Sequence, residues 1–496
     1  MAIVRKQSIQ GSIISAAGVL IGFVSSALLL PAFLAEEEIG LVRTLISYAT
    51  LFSILAGLGF SQVTYRLFPS FKNDKNGHNG FLTLGLIFVA VGGLIFYFVS
   101  IGLQPYIVGE NNSLPFEEYY HLITPVGVFL LIFMVLDNYL VMQYKAVIGI
   151  LLKELLLRIL ILVFILLYGY HYLSFHQFAN SYVLSFCIPT IFLLFWLLFR
   201  KNIQFKLTRI QIPQKTKKEI FKVASYGFFA GGIHVLLREI DVVMIKQLLG
   251  FKETGVYTVL FPFAILISIP ARSVIRIATG VISEAWKVND LTLISNIYRK
   301  SSNTLLVISV FLFLGIWLNI DDVLTLIKNG DLYSHEKYVV FFVGLAQVVD
   351  MGTGVNATII ATSKYYAYNT FFIIILLTLI ITTNLVLIPM YGVTGAAIGT
   401  CISMIVYNSL RFVFLYVKFK LTPFNRNTII IISIGAVVYF IVSNLTFSTQ
   451  PLINILGIGS SITILYGLLI YFLKVSHDIN QRIDVYWLKA KKILKL

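Results

Sequence analysis

Fourteen apolar segments separated by short polar loops leave this 496-residue chain few ways to fold. A membrane-spanning helix needs about 20 apolar residues. Helices are predicted near 12–34, 41–66, 80–103, 119–143, 146–168, 178–199, 220–249, 255–282, 303–319, 337–362, 368–388, 392–415, 428–445 and 451–473. A β-barrel would instead show segments of about ten residues alternating in polarity, and runs such as Phe371–Leu379 do not alternate. The chain is 58% hydrophobic and only 12% charged, against roughly 25% charged in soluble globular proteins. A soluble fold would leave apolar helices exposed on every face. The first apolar run follows Arg5 and Lys6 and ends at Pro31 without a small-residue cleavage site, so it reads as a retained helix rather than a signal peptide.

Charge is sorted between alternate loops. Of the 38 Lys and Arg, only Arg43, Lys252, Lys328 and Lys337 fall on one set of loops. Seven lie within apolar segments, and the remaining 27 occupy the other loops and both termini. Acidic residues lean the opposite way, with Glu36, Glu37, Glu38, Glu110, Glu117, Glu118, Asp321, Asp322, Asp331 and Glu336 on the basic-poor side. Short loops rich in Lys and Arg stay in the cytoplasm, so both termini are expected inside a plasma (inner) membrane. The net charge of +16 does not indicate nucleic acid, because the basic residues flank spans and no soluble domain presents them. The stretch Arg200–Lys222 and the tail with Arg482, Lys489, Lys492 and Lys495 read as topology signals attracted to anionic lipid, the tail as an amphipathic helix on the membrane surface. Cys187 and Cys401 fall inside apolar segments, and neither they nor His121, His171 and His176 have metal-ligand spacing. Neither a disulfide framework nor a metal site is expected.

A weak internal repeat divides the chain. Leu34-Ala-Glu-Glu-Glu-Ile-Gly40 parallels Leu249-Gly-Phe-Lys-Glu-Thr-Gly255, and Glu117-Glu-Tyr-Tyr120 parallels His335-Glu-Lys-Tyr338. Six helices separate equivalent points, and an even number preserves direction, so the halves are parallel repeats. Transporters of this design bind their substrate between the repeats. The expected fold is therefore an all-α polytopic membrane protein with 14 transmembrane helices, two parallel six-helix bundles and a C-terminal helix pair. Its parts are a lobe at 1–199, a basic linker at 200–219, a second lobe at 220–420, the extra pair at 421–473 and a tail at 474–496.

The stretch Asn384-Leu-Val-Leu-Ile-Pro-Met-Tyr-Gly-Val-Thr-Gly-Ala-Ala-Ile-Gly399 resembles a signature of the polysaccharide exporters of the MOP superfamily, relatives of the MATE transporters. Pro389 to Gly392 suits a tight turn, and Gly395 and Gly399 form a GxxxG face that lets a helix approach closely. Glu38-Ile-Gly-Leu with Gly57-Leu-Gly-Phe, and Ile240-Asp241 leading to Gly255-Val-Tyr257, fit the same family in order and spacing. Within it the chain most resembles Wzx-type flippases. The resemblance implies movement of undecaprenyl-diphosphate-linked oligosaccharide from inner to outer leaflet during O-antigen, capsule or exopolysaccharide assembly. It implies membrane lipid and polysaccharide polymerase and assembly proteins as partners. It implies no cofactor beyond coupling to H⁺ or Na⁺. A cation-coupled MATE-like exporter and a lipid II flippase stand as alternatives. Lipid II flippases typically carry a basic first helix, and the segment 12–34 has no charge. A membrane polymerase or glycosyltransferase needs a large outer loop, which is lacking here, so no catalytic residue is expected.

Charges inside the membrane supply the candidate site. Lys153, Arg158, Arg238, Lys246, Arg272, Arg276 and Arg411 stand against Asp137, Glu154, Glu239, Asp241 and Asp350. Each costs about 2.5–3.5 kcal/mol at mid-bilayer on insertion scales, so such residues face a cavity or a partner. A diphosphate calls for multi-donor cations, and the arginine fork fits phosphate oxygens. Arg272, Arg276, Arg238 and Arg158 are the expected diphosphate contacts. Arg272 and Arg276, four apart, share a helix face, and Pro270 before them can free the carbonyl of Leu266. Arg238 can pair with Asp241, and Arg158 with Glu154. Asp350, Asp137 and Asp241 are open to two roles, ion coupling or counter-ion to a cavity arginine.

Overall fold

The computed structural model describes residues 2–73, 77–108, 116–199, 214–475 and residue 480. The basic stretch 200–213 and the tail from 481 lie outside the described residues. No strand occurs among those described. The protein is an all-helical, multi-pass membrane protein. It divides into two compact units, Met1–Val259 and Leu260–Leu496.

The first unit begins with α1, in which Ala2–Phe23 passes through a π turn at Val24–Leu29 into Leu30–Phe33. Then come α2 (Glu36–Ala56) and α3 (Phe60–Phe71). Glu36, Glu37 and Glu38 fill the first turn of α2, where carboxylates complement the helix dipole, and Glu38 accepts the Ala35 N–H at 2.9 Å. The helix expected over 41–66 therefore starts earlier, and it breaks where Leu58 and Gly59 both take positive φ. Next are α4 (Phe81–Val108), α5 (Phe116–Met142), and α6, built from Ala146–Ile150, a π turn at Leu151–Leu156 and Leu157–Gly169. After α7 (Phe175–Phe199), the long α8 (Gln214–Leu248) packs along both α2 and α3. The next helix, α9 (Phe251–Ser268), carries the chain out of the first unit.

In the second unit, α9 tightens into a 3-10 turn at Leu266–Ser268 and gives way to α10 (Ala271–Lys287) after Pro270. The Leu266 carbonyl expected to be freed by Pro270 instead accepts the Ile269 N–H at 3.2 Å. Next come α11 (Leu291–Trp317), two short helices, and the pair α12 (Tyr338–Gly352) and α13 (Asn356–Thr362), bent by 52°. A 54-residue element, α14 (Tyr366–Phe419), is interrupted at Gly392, whose φ of 60° and ψ of −142° only glycine adopts readily. Glu336 clamps this turn, accepting from the Thr394 N–H at 3.1 Å and its hydroxyl at 2.7 Å. The helix that approaches the GxxxG face is the preceding leg of the same hairpin: a Cβ on Gly395 would fall 2.0 Å from the Leu387 carbonyl oxygen.

Finally α15 (Arg426–Val442) and α16 (Pro451–Phe472) pack on α11. Their shared core contains Leu306, Val310, Ile434, Val438, Ile462 and Tyr466. A cavity of about 610 Å³, lined by apolar side chains such as Leu306, Phe313, Phe341, Val348 and Tyr439, lies among α11, α12 and α15.

Among the described residues, nine helices are long and apolar enough to cross a bilayer, or ten if α12 and α13 form one span. The expected fourteen is not reached on that measure. The reasons are physical: α6 is split by its π turn and carries Lys153, Glu154 and Arg158. The α8 helix is rich in charge, α15 has 17 residues, and both legs of α14 join in one element.

Candidate functional site

The sequence-predicted residues divide between the two units. In the first unit, Arg158 rises from α6 one turn beyond Glu154, with the ion pair at 3.5 Å and both side chains about one-third exposed. Its guanidinium lies against Gly22 of α1. Asp137, near the end of α5, sets its carboxylate against Gly149 of α6, and its Oδ1 is buried without a hydrogen bond. Lys153 is the cation acting on it. Beside it Asn138 accepts from Tyr65 at 2.7 Å and donates to Ser61 at 2.9 Å. Asp241 of α8 is buried and accepts from the Tyr257 hydroxyl at 2.8 Å. Arg238 lies in α8, but its side chain falls outside the described residues.

Two cations of the first unit have fixed partners that spacing alone does not show. Arg43, counted with the loop charges although it falls at the start of the helix expected over 41–66, stands in the second turn of α2 and binds Glu239 of α8 at 2.7 Å. Ser47, one turn on, donates to the same carboxylate oxygen at 2.8 Å. The signal available in the sequence was the run of three glutamates, which marks a helix N-terminus and draws Arg43 inside. Lys246 is buried and donates to the Ile107 and Val108 carbonyls at the end of α4. It also sits over the Phe116 and Phe251 rings at 5.0 and 5.4 Å. Lysine capping a helix C-terminus satisfies otherwise orphaned carbonyls.

In the second unit, Asp350 is spoken for. Asn408 donates to it at 3.1 Å, and the buried Arg411 attracts its charge. Asn408 also donates to the Met404 carbonyl and accepts from Thr353 at 2.9 Å and Asn356 at 3.1 Å. Arg411 donates to Asn369 at 3.2 Å and to the Tyr407 hydroxyl, and stacks over the Tyr407 ring at 3.7 Å. This network spans the gap between α12 and α13. In hydrocarbon, non-helical backbone is tolerated only where protein satisfies it.

Arg272 and Arg276 have a different setting. Both are exposed on α10, which presents three distinct sectors. Ala271, Ala278, Ile282 and Ala285 are buried in the bundle. Ile277 and Val281 are exposed and apolar. The third sector carries Arg272, Arg276, Thr279, Ser283 and Lys287 at helical spacing. It runs about 22 Å at 1.5 Å per residue, from the inner half of the span expected over 255–282 to Lys287 beyond its inner end. The first sector meets protein, the second is apolar apart from the exposed Glu284, and the third is polar. Ionisable residues within a bilayer face a cavity or a partner. The 610 Å³ cavity offers no comparable chemistry, since its lining is almost wholly apolar.

No family model and no curated protein matches this sequence. Solved structures do. The chain is similar to a lipid II flippase, MurJ, in an inward closed conformation, with TM-score 0.68 and 13% identity over 94% of this chain and 100% of that one. It is similar to an inward-facing multidrug resistance MATE family transporter of the MOP superfamily, with TM-score 0.63 and 15% identity over 82% of this chain and 98% of that one. A MOP superfamily transporter from Pyrococcus furiosus gives TM-score 0.55 and 14% identity over 84% and 96%. The protein has the fold seen in these MOP superfamily transporters.

Proposed function

We propose that this protein is a flippase for undecaprenyl-diphosphate-linked oligosaccharide, working by alternating access in a bacterial inner membrane with both termini in the cytoplasm. The polar stripe of α10, with Arg272 and Arg276 one turn apart on it, carries this reading. A diphosphate crossing a bilayer needs cationic donors in a water-filled path, and this stripe offers two of them in the inner half of the membrane, where a lipid-linked cargo would load. Sugars cross in water, the prenyl chain stays in apolar surroundings, and no bond in the cargo is made or broken. Coverage supports a flippase over a drug exporter. The MurJ structure aligns with 94% of the chain and the MATE structure with 82%, a shortfall of the size of the α15–α16 pair. Polysaccharide polymerase and assembly proteins are the expected partners, and H⁺ or Na⁺ the expected coupling ion.

The test is genetic and chemical. Arg272→Ala should abolish surface polysaccharide while protein level holds, with diphosphate-linked repeat units accumulating in the inner leaflet. Normal polysaccharide in that strain removes Arg272 from the mechanism. The MurJ likeness favours lipid II as a second cargo, and rescue of a strain depleted of its lipid II flippase would select that reading. Lowered drug accumulation in a sensitive host would select the exporter.

A further inference from the structure

The two repeated turns meet. Gly40 and Gly255 occupy equivalent places in the repeated segments that end at these glycines. A Cβ on Gly40 would fall 1.8 Å from the carbonyl oxygen of Phe251, and a Cβ on Gly255 would fall 1.9 Å from that of Glu36. Each glycine thus packs against the residue four before the other. The contact is reciprocal, as a two-fold crossing between repeats requires. One turn deeper, Arg43 and Ser47 of α2 converge on one oxygen of Glu239 in α8. Glu239 is largely buried, with its side chain 11% exposed, and the Arg43 side chain is 29% exposed. Charge-assisted hydrogen bonds of this kind are the strong ones. They join elements from the two sequence repeats, on the face that charge sorting assigns to the outside.

We infer that the Gly40–Gly255 crossing and the Arg43–Glu239–Ser47 cluster form a clasp that closes the outer end of the path and parts in each transport cycle. The glycines let two backbones touch and exclude water. The ion pair fixes the closed arrangement, and because Arg43 remains partly accessible, water can replace Glu239 as its partner on opening. A purely apolar seam would lack this register. The inference rests on the transport reading given above.

The experiment uses the full-length protein in membranes, with Cys187 and Cys401 replaced by Ala. Leu51→Cys lies one turn beyond Ser47 on α2, behind the clasp at a buried position. Its labelling by an impermeant thiol reagent from the outer side reports opening without any cargo. Glu239→Gln should raise the labelling rate about tenfold, the factor that about 1.4 kcal/mol represents. Gly40→Ala should act in the same direction by wedging the crossing, and the exchange Arg43→Glu with Glu239→Arg should restore low labelling. In a second arm, Arg43→Cys with Glu239→Cys is joined by a short cleavable bifunctional thiol reagent. Transport should stop on joining and return on cleavage. Unchanged labelling in both Glu239→Gln and Gly40→Ala, or undiminished transport in the joined protein, overturns the clasp. If the unjoined protein moves no lipid-linked oligosaccharide, the cargo assignment fails while the labelling arm still decides the clasp.

Discussion

Residues of one chemical type sit in opposite surroundings in this protein. Arg411 is 4% exposed, stacked on Tyr407 and bonded to Asn369. Removing a buried hydrogen-bonding partner leaves the groups bonded to it unsatisfied, at about 1–3 kcal/mol each. Arg411→Ala should therefore lower the thermal unfolding temperature sharply, and Arg411→Lys should recover little, because a lysine lacks the planar stack. Arg272 is exposed, so Arg272→Ala should leave that temperature within the scatter of surface substitutions, about ±0.5 kcal/mol, while abolishing transport. Thermal unfolding of purified protein in detergent measures both. If the two variants lose stability equally, the division between structural and cargo-facing arginines fails. From sequence, both were simply cations inside apolar segments. Spacing revealed the Arg272/Arg276 face, but Asn369 lies 42 positions from Arg411 in the chain, beyond the reach of any local pattern.

At the scale of elements, the contact between α1 and α6 is made by small residues, as packing in lipid favours. A Cβ on Gly18 would fall 2.1 Å from the Glu154 backbone oxygen, whereas one on Gly22 would fall 1.7 Å from the end of the Arg158 side chain. Backbone cannot yield, and a guanidinium can swing. Gly18→Ala should therefore cost more stability than Gly22→Ala, by about 1 kcal/mol or more within the range for overpacked sites. Gly22→Ala should instead alter transport by displacing Arg158. Equal stability losses at the two positions would contradict this. The existence of nearly every helix was legible in hydropathy alone. Their breaks were less so. The π turns in α1 and α6 carry no composition signal, and the bend between α12 and α13 arises at Gly352–Thr353–Gly354–Val355, where Ser302 donates to the Gly352 carbonyl and Thr353 and Asn356 donate to Asn408 across the bundle.

For the whole molecule, the all-helical fold class was readable because the bilayer imposes it, and the likeness to MOP transporter structures followed the resemblance in the motifs. Apolar segments must become helices, and their order carried the resemblance. The clasp was not readable, since reciprocity between Gly40 and Gly255 appears only when the repeats are brought together. The α15–α16 pair gives a test at this scale. It covers α11 through Leu306, Val310 and Leu314, so truncation after residue 420 should both destabilise the second unit and abolish lipid-linked transport. A truncated protein of unchanged stability and activity would show the pair to be dispensable. The junction of α12 and α13 has a further consequence for how this protein should be dissected. Asn408 uses its full hydrogen-bonding capacity, accepting from Thr353 and Asn356 on either side of the bend and donating to Asp350 of α12 and to the Met404 carbonyl of its own helix. A random screen for lost export will therefore return Asn408 as readily as any arginine that touches cargo, and only a parallel measure of folded protein will separate the hinge-pin from the hand.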